Sequence, residues 1–485
     1  MKKTRLIGII EGGQNSKASN RLKALIEKHL GDETVSVEIL NKEWPELPPT
    51  ENTLVIEGDV KLKTLEEAEE LIEDGVDVLA FPDIKQAFWR GELQEEVSKP
   101  IAPVEEALLQ YCKKKNLNRV GLVSEPDARN MAFLKSLETD SPIDWMNPDQ
   151  LETEKVQQFL KLANKEERSE SEQAQQLALL KAVCESILQR GAQAVLLNLP
   201  EAEEFVEPLL LNNLPIIDLA DVYASYIAQN EFSDPAKSFK IGLVGGLGPA
   251  ATVDLYDKIV KASPAKTDQK HYKVIVEQNP QIPDRTAYLL NGGTDPTLAL
   301  YAACRKLEKD GADIILIPCN TAHAFFESIA PHLKAKMINM QQTTLEEIVE
   351  KLGKDKPVGL MATDGTVKTG IYKNKADQMG IKLVTPEPKY QALVMEAIYG
   401  PQGAKAGFTD GVCREQLLEA GRHLVRDKGA ASLILGCTEL PLILDECDLM
   451  DIGEGLKATI VDPTSAVARK AVKTAQEALK TNRKL

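Results

Sequence analysis

Short apolar runs alternate with longer amphipathic, charge-rich runs along the whole chain. The apolar runs are rich in Val, Ile, Leu and Ala, which is typical of strands that are buried on both faces of a sheet. The amphipathic runs between them have the length and the polarity of surface helices. This order of elements predicts an α/β fold in which helices cover parallel sheets.

Two of the amphipathic runs show where individual elements should begin and end. Residues 64–75 and residues 297–311 both start at Thr and finish at Gly, as helices often do. Each run is followed by an apolar run that leads into a proline, Pro82 in one case and Pro318 in the other. We therefore expect a helix followed by a strand at both places.

These two helix–strand pairs belong to a longer repetition. Four segments of the first half recur in order in the second half: residues 6–13 match 240–248, 74–88 match 310–325, 118–128 match 356–366, and 190–201 match 428–439. The offset between matched residues stays between 234 (Ile7 to Ile241) and 238 (Val120 to Val358). We interpret this tandem duplication as two homologous domains, residues 1–235 and 236–485, joined in a segment with the composition of a linker.

Composition excludes several classes of protein. A formal net charge of −16 over 485 residues argues against nucleic acid and anionic membranes as partners. No apolar stretch approaches the roughly 18 residues of a membrane span, and the first apolar run is too short for a signal peptide. We therefore expect a cytoplasmic protein. Its seven cysteines lack the spacing of a zinc site, so we expect free thiols and no metal.

Two cysteines stand at positions that favour chemistry. Cys319 and Cys437 each follow an apolar run that reads as a strand. In α/β sheets, ligands bind beyond the carboxyl ends of the strands. A helix that starts at such an end offers unpaired N–H groups, which bind carboxylates and lower the pKa of a thiol. We therefore expect two activated thiols at one edge of the fold.

The motifs around these cysteines resemble the cofactor-independent aspartate/glutamate racemase family, and within it the aspartate racemases. The resemblance covers roughly residues 239–475 and is carried by IGLVGGLGPAATVDLYDKIV (241–260), PQIPDRTAYLL (280–290), IPCNTAHAF (317–325), GLMATDGTVKTGIY (359–372) and LGCTELPLIL (435–444). It implies a unit of two similar parallel-sheet α/β subdomains with the active site between them. It also implies an isomerase that needs no cofactor.

The same resemblance implies the roles of individual residues. Cys319 and Cys437 would be the catalytic pair: one thiolate removes the α-proton, and the other thiol returns a proton to the opposite face. A thiol pKa of about 8.5 is close enough to neutrality for both tasks. The residues implied to bind substrate are Arg285 with Asp284, for the side-chain carboxylate, Asn320, Thr321 and Thr438, for the α-carboxylate or α-amino group, and also Lys405 and Thr363.

The first half departs from this pattern at both thiols. Asp83 stands opposite Cys319, and Leu199 stands opposite Cys437. Glu201, by contrast, has the same residue type as its counterpart in the second half, Glu439. We therefore expect a first domain without racemase chemistry. It could be a binding module, or it could take the place of a second subunit in a pseudo-dimer, whereas family members are typically homodimers.

The substrate that we expect is aspartate, interconverted between its L and D forms. Arg285 favours a dicarboxylic amino acid, because a guanidinium group can hold a carboxylate through two parallel hydrogen bonds. Glu439 stands where glutamate racemases carry a histidine, which argues against glutamate as the principal substrate. The alternatives are racemisation of glutamate, other amino acids or hydantoins, and isomerisation of maleate.

Overall fold

A computed structural model describes residues 5–11, 16–31, 35–39, 53–82, 89–124, 143–163, 165, 168–235 and 238–482. The chain divides into two compact units, Met1–Lys237 and Ser238–Leu485. Each unit contains two sheets, and helices separate most successive strands, which confirms the predicted α/β fold. Among the described residues, no helix combines the length and the apolar character needed to span a membrane.

The first unit contains two parallel sheets. The strands are β1 (Arg5–Ile9), β2 (Val35–Ile39), β3 (Val78–Ala80), β4 (Arg119–Ser124), β5 (Asp144–Met146), β6 (Ala194–Asn198) and β7 (Ile216–Ile217). Their order is β2-β1-β3 in one sheet and β5-β4-β6-β7 in the other. An isolated parallel bridge from Leu79 to Ile101 extends the first sheet beyond β3.

The second unit repeats this arrangement and adds one strand to each of its two sheets. The strands are β8 (Lys240–Gly245), β9 (Lys273–Gln278), β10 (Ile314–Leu316), β11 (Lys336–Met337), β12 (Val358–Met361), β13 (Leu383–Val384), β14 (Ser432–Leu435), β15 (Cys447–Gly453) and β16 (Leu456–Val461). Their order is β11-β10-β8-β9 in the first lobe and β13-β12-β14-β16-β15 in the second lobe. All of them pair in parallel except β15, which is antiparallel to β16.

Helices connect the strands in both units. Those of the first unit are α1 (Ser16–Leu30), α2 (Thr53–Glu73), α3 (Arg90–Glu96), α4 (Val104–Lys114), α5 (Gln150–Ala163), α6 (Glu170–Gln189), α7 (Val206–Leu211) and α8 (Leu219–Gln229). Those of the second unit are α9 (Pro249–Ala262), α10 (Arg285–Asn291), α11 (Thr297–Lys309), α12 (Phe326–Ile329), α13 (Met340–Leu352), α14 (Asp364–Lys368), α15 (Ile371–Met379), α16 (Pro388–Tyr399), α17 (Val412–Lys428) and α18 (Pro463–Asn482).

The strand register confirms the duplication residue by residue. Ile7 pairs with Val78 in the first unit, and its sequence counterpart Ile241 pairs with Ile314 in the second. Val120 likewise pairs with Ala194, while Val358 pairs with Ser432. The partners of each pair are related by the same sequence offsets that the matched segments gave, so the two units share their strand order and their register.

The two helices predicted from their Thr and Gly boundaries are both present, with one difference. α11 begins at Thr297 as predicted, whereas α2 begins at Thr53, well before the predicted start at residue 64. The glycine after each helix has a positive φ, 94° at Gly75 and 85° at Gly311, a conformation that favours glycine. The early start of α2 was not predicted, although Asn52, which directly precedes it in the sequence, is a residue type favoured at the N-cap of a helix.

Candidate active site

A cleft in the second unit brings together every residue that the sequence analysis proposed for the site. Its lining consists of Leu247, Asp284, Arg285, Thr286, Cys319, Asn320, Thr321, Thr363, Tyr399, Lys405, Gly436, Cys437, Thr438 and Glu439. The space between these atoms is about 390 Å³, including the part open to solvent. Polar side chains predominate in the wall of this cleft.

The two thiols reach the cleft from different lobes. Cys319 follows β10, an interior strand of the first lobe, and Cys437 follows β14, an interior strand of the second lobe. Both side chains are largely buried, with 8% and 7% of their surface exposed. The carboxyl ends of two parallel sheets therefore present one thiol each to the same space.

The elements that follow the thiols differ from the predicted helices. Short 3-10 helices come after them, Thr321–Phe325 in the first lobe and Leu440–Leu442 in the second. Burial, reinforced by the adjacent Glu439 carboxylate, raises the pKa of Cys437 well above its usual value. The expectation of a lowered pKa is therefore wrong for Cys437, because burial beside a negative charge outweighs the weak dipole of a single turn.

Glu439 links Cys437 to a lysine. The Cys437 thiol donates to Glu439 Oε2 at 2.8 Å, and Lys405 Nζ lies 2.9 Å from Glu439 Oε1. Burial alone would raise the pKa of Glu439, but Lys405 and the thiol together hold it below its ordinary value. Burial opposes the charge of Lys405, yet the Glu439 carboxylate raises the pKa of that lysine. The carboxylate is therefore ionised and receives two donors.

The surroundings of Glu439 explain how it comes so close to the thiol. A Cβ placed on Gly248 would lie 3.1 Å from Glu439 Oε1, and Gly248 has a positive φ of 116°. Glycine at this position leaves room for the carboxylate. On the other side, Lys405 Nζ lies 5.3 Å from the centre of the Tyr399 ring, within cation–π range. The sequence analysis had noted Glu439 but had given it no role.

Arg285 and Asp284 lie at the start of α10. The Asp284 side chain accepts from the N–H of Ala287 at 2.7 Å and caps the helix. The Arg285 guanidinium donates to the carbonyls of Pro283 at 3.1 Å and of Leu247 at 3.3 Å. Within the described part of the chain, no carboxylate lies within ion-pair distance of Arg285. Its charge therefore faces the cleft without an anionic partner.

Asn320 is held rigidly beside Cys319 and retains a free donor. Its Oδ1 accepts from the Tyr372 hydroxyl at 2.7 Å, and its carbonyl accepts from Gln341 Nε2 at 3.1 Å. The Nδ2 group is buried and has no hydrogen-bond partner among the described residues. Because a buried donor without a partner is costly, this amide is suited to bind an acceptor that enters the cleft.

Two threonines of the cleft, Thr321 and Thr363, are joined through the neighbouring Thr366 into a chain of hydroxyl groups that connects the two lobes. Thr321 Oγ1 lies 3.0 Å from Thr366 Oγ1, and Thr363 Oγ1 lies 3.2 Å from the same atom. Thr363 also caps α14 by accepting from the N–H of Thr366 at 3.3 Å. Thr286 and Tyr399 also line the cleft but were not among the predicted site residues, although Thr286 lies within the quoted motif PQIPDRTAYLL.

His323 has a structural position rather than a place in the cleft. Its Nδ1 lies 2.9 Å from the carbonyl oxygen of Cys319, and its ring stacks on Phe326. Complete burial lowers the pKa of His323, so the ring is neutral. This contact fixes the main chain beside Cys319. Among the described residues, no group of His, Cys, Asp and Glu is arranged to hold a metal ion.

The first unit has an apolar side chain where the second has Cys437. Leu199 follows β6, is 3% exposed and packs in a hydrophobic cluster of that unit. A 3-10 helix, Pro200–Phe205, begins directly after Leu199, whereas Leu440–Leu442 begins three residues after Cys437. Asp83, the predicted counterpart of Cys319, lies outside the described residues. A 3-10 helix thus follows the strand in both units, at different distances from Leu199 and from Cys437.

Comparisons with known proteins agree with these features. A model of the Asp/Glu/hydantoin racemase family matches two consecutive segments, residues 7–227 and 244–471. The broad specificity amino-acid racemase RacX of Bacillus subtilis (strain 168) is 25% identical over 242 residues, which are 48% of this chain and 97% of that protein. The glutamate racemase of Aquifex pyrophilus is 27% identical over 177 residues, 34% of this chain and 65% of that enzyme.

Solved structures give similar matches. The aspartate racemase of Picrophilus torridus has 30% sequence identity and a TM-score of 0.42, with 49% of this chain and 94% of that one covered. An aspartate racemase homologue from Pyrococcus horikoshii OT3 has 23% identity and a TM-score of 0.40, with coverages of 49% and 99%. Each of these two matches covers about half of the chain.

Proposed function

The chain belongs to the Asp/Glu/hydantoin racemase family, and we propose that its second unit is a racemase of dicarboxylic amino acids, with aspartate as the principal substrate. The observation that carries this proposal is the convergence of two thiols from two lobes on one cleft that also holds an arginine without an anionic partner. Racemisation needs a base on one face of the α-carbon and an acid on the other. Two similar groups can exchange these roles.

The protonation states suggest where the reaction starts. Cys437 is buried beside Glu439, which keeps its proton on sulfur and makes it the acid of the resting enzyme. Cys319 is then the base. Its thiolate takes the α-proton, so that a C–H bond breaks and an S–H bond forms. Cys437 gives its proton to the opposite face of the carbanion, and the thiolate is then on Cys437.

The polar groups of the cleft would bind the substrate and stabilise the carbanion. Asn320 Nδ2, a buried donor without a partner among the described residues, would bind the α-carboxylate together with the hydroxyls of Thr321 and Thr438. Arg285 would hold the side-chain carboxylate. Fixed donors around a developing negative charge are a major source of catalysis, which is consistent with a reaction that uses only side chains of the protein.

The test follows α-proton exchange and racemisation of L-aspartate in deuterated water without pyridoxal phosphate. We expect Cys319→Ala and Cys437→Ala each to lower racemisation by about 10²- to 10⁴-fold, the range of an acid–base group. Cys447→Ala is the matched control, since this partly exposed thiol lies outside the cleft. Retention of racemisation in both single variants would refute the two-thiol proposal.

A second candidate is a racemase of broad specificity. It is favoured by the match with the broad specificity amino-acid racemase, which extends over 97% of that protein. Comparable kcat/KM values for aspartate and for neutral amino acids such as alanine would support this candidate over the first.

The first unit is proposed to be non-catalytic, because Leu199 occupies the place of a thiol. The Cys319→Ala/Cys437→Ala double variant of the full chain should then show no exchange. Sedimentation of the full chain distinguishes a homodimer from a monomeric pseudo-dimer.

A further inference from the structure

Cys437 poses a problem for any reaction in which it must act as the base. Its thiol is buried and donates to a carboxylate that is itself ionised. Forming a thiolate there places two negative charges next to each other in a site with little water, which is strongly unfavourable. Racemisation must nevertheless run in both directions, so the proton has to leave Cys437 in one of them.

The geometry around Glu439 offers a path for that proton. One oxygen, Oε2, accepts from the thiol at 2.8 Å, and the other, Oε1, is bonded by Lys405 at 2.9 Å. Lys405 is the more exposed of the two partners: 37% of its side chain is exposed, against 10% of that of Glu439. Both residues line the cleft, so an anion in the cleft competes with Glu439 for the lysine.

We propose that Glu439 is the base that receives the Cys437 proton, and that an incoming anionic substrate triggers the transfer by drawing Lys405 away from Glu439. The inference rests on the proposed racemase function. Lys405 bonds directly to Glu439 and acts on the thiol only across a longer distance. When Lys405 leaves, the proton affinity of the Glu439 carboxylate therefore rises more than that of the Cys437 thiolate. The proton can then move from the thiol to the carboxylate.

The step balances without any further reactant. The S–H bond of Cys437 breaks and an O–H bond forms on Glu439 Oε2. The Cys437 thiolate then takes the α-proton of the substrate, and the carbanion receives the proton of the Cys319 thiol. Cys319 has taken up one proton from water beforehand, and Glu439 releases one to water when the product leaves and Lys405 returns. Glu439 would thus serve only Cys437.

The first experiment measures reactivity of the thiol without turnover. Cys437 is alkylated with iodoacetamide across a pH series, in protein carrying Cys319→Ala, and the modified peptide is quantified by mass spectrometry. Other titratable or charged groups face the same cleft, namely Asp284, Arg285, Tyr399 and Lys405. With them unchanged, Glu439→Gln removes the adjacent negative charge and is expected to increase the alkylation rate at least tenfold at neutral pH.

The second experiment measures α-proton exchange of both aspartate enantiomers in deuterated water, in single-thiol proteins. In the Cys319→Ala protein, where only Cys437 can act as base, Glu439→Gln should lower exchange by about 10²-fold or more, the usual contribution of a general base. In the Cys437→Ala protein, the same change should have an effect at least tenfold smaller. Glu415→Gln, on a side chain that is 72% exposed, is the matched control.

The opposite signs of these two effects distinguish the proposal from a structural role. A carboxylate that only repels the thiolate would, when removed, increase both alkylation and exchange. One that only supports the fold would, when removed, lower exchange equally in both single-thiol proteins. Either result overturns the proposal. Glu439→Asp, which keeps a carboxylate, should recover part of the Cys437-dependent exchange if Glu439→Gln folds poorly.

The trigger is tested with succinate, which carries two carboxylates and no ammonium group. Binding of succinate to the Cys319→Ala protein should increase the ultraviolet absorbance of thiolate, and Glu439→Gln should abolish this increase while calorimetry still detects binding. If succinate binds to the Cys319→Ala protein that keeps Glu439 without changing its absorbance, the proposal that an anionic substrate triggers the proton transfer is overturned. If wild-type protein exchanges the α-proton of no amino acid, the proposed function fails first; if it exchanges with the wrong dependence on Glu439, only this inference fails.

Discussion

Replacement of Arg285 should separate substrate choice from thiol chemistry. The guanidinium is partly buried at the start of α10, where carbonyl groups of Pro283 and Leu247 hold it at 3.1 and 3.3 Å. These are neutral acceptors, and among the described residues no carboxylate neutralises the charge. A substrate carboxylate would therefore gain a full charge-assisted contact without having to displace an ion pair.

The expected magnitude follows from that contact. Hydrogen bonds to charged groups contribute about 1.5–3 kcal/mol. At about 1.4 kcal/mol for each tenfold change, Arg285→Ala should lower kcat/KM for aspartate by roughly 10- to 150-fold. Alanine has no side-chain carboxylate, so its kcat/KM should change little. Arg285→Lys keeps the charge but loses the planar fork, and we expect an intermediate loss.

The assay compares kcat/KM for aspartate and for alanine by chiral chromatography in each variant. Alkylation of Cys319 and Cys437 serves as a check that the cleft is intact. Arg426→Ala is a suitable control, because this half-exposed arginine pairs with Glu454 outside the cleft. Equal losses for both substrates, or no loss for aspartate, would refute the assignment of Arg285 to the side-chain carboxylate.

Three further predictions test the supports of the cleft. Tyr372→Phe removes the 2.7 Å bond to Asn320, so urea denaturation should show a loss of about 1 kcal/mol and KM should rise. Gly436→Ala should cost about 1–3 kcal/mol in the same assay, since its Cβ would lie 2.6 Å from Leu360. Asp462 is buried, but its lysine partner keeps its pKa below the ordinary value. Its contribution is therefore present above about pH 4 and lost as the pH falls through the folded pKa; Asp462→Asn should flatten this acid dependence of stability.

The positions of the strands could be predicted from the sequence, because the buried strands of parallel sheets appear there as short, continuous apolar runs. Ile7 and Ile241 occupy equivalent positions in two matched apolar runs, and the residues that pair with them on the neighbouring strands are equivalent as well. A shift of register by one residue would turn buried side chains toward the wrong face, so a repeated apolar pattern implies a repeated register. The same apolar pattern predicts that Cys319 and Cys437 lie at strand ends.

The electrostatic state of the site did not follow from the sequence. Glu439 lies two residues after Cys437, a spacing that would separate their side chains in an α-helix. The chain there forms a turn that precedes the short 3-10 helix Leu440–Leu442, and the carboxylate points back onto the thiol. The lysine that pairs with Glu439 comes from a different loop, at Lys405. Sequence motifs identify residue types, but these contacts depend on how loops fold over one another.

The first unit shows which part of the motif belongs to the fold and which part belongs to the chemistry. The position after β6 is buried, as is the position after β14, so it accepts any compact apolar group. Leu199 fills it with 3% of its surface exposed, and Cys437 does so with 7%. The Oε2 atom of Glu201, the counterpart of Glu439, is buried without a hydrogen-bond partner among the described residues. Glu201 therefore lacks the stabilising contact that a thiol would give it, whereas two donors, the Cys437 thiol and Lys405, stabilise Glu439 in the second unit. The position after the strand is thus buried in both units, whereas among the described residues it is Glu439, in the second unit, whose two carboxylate oxygens both accept hydrogen bonds.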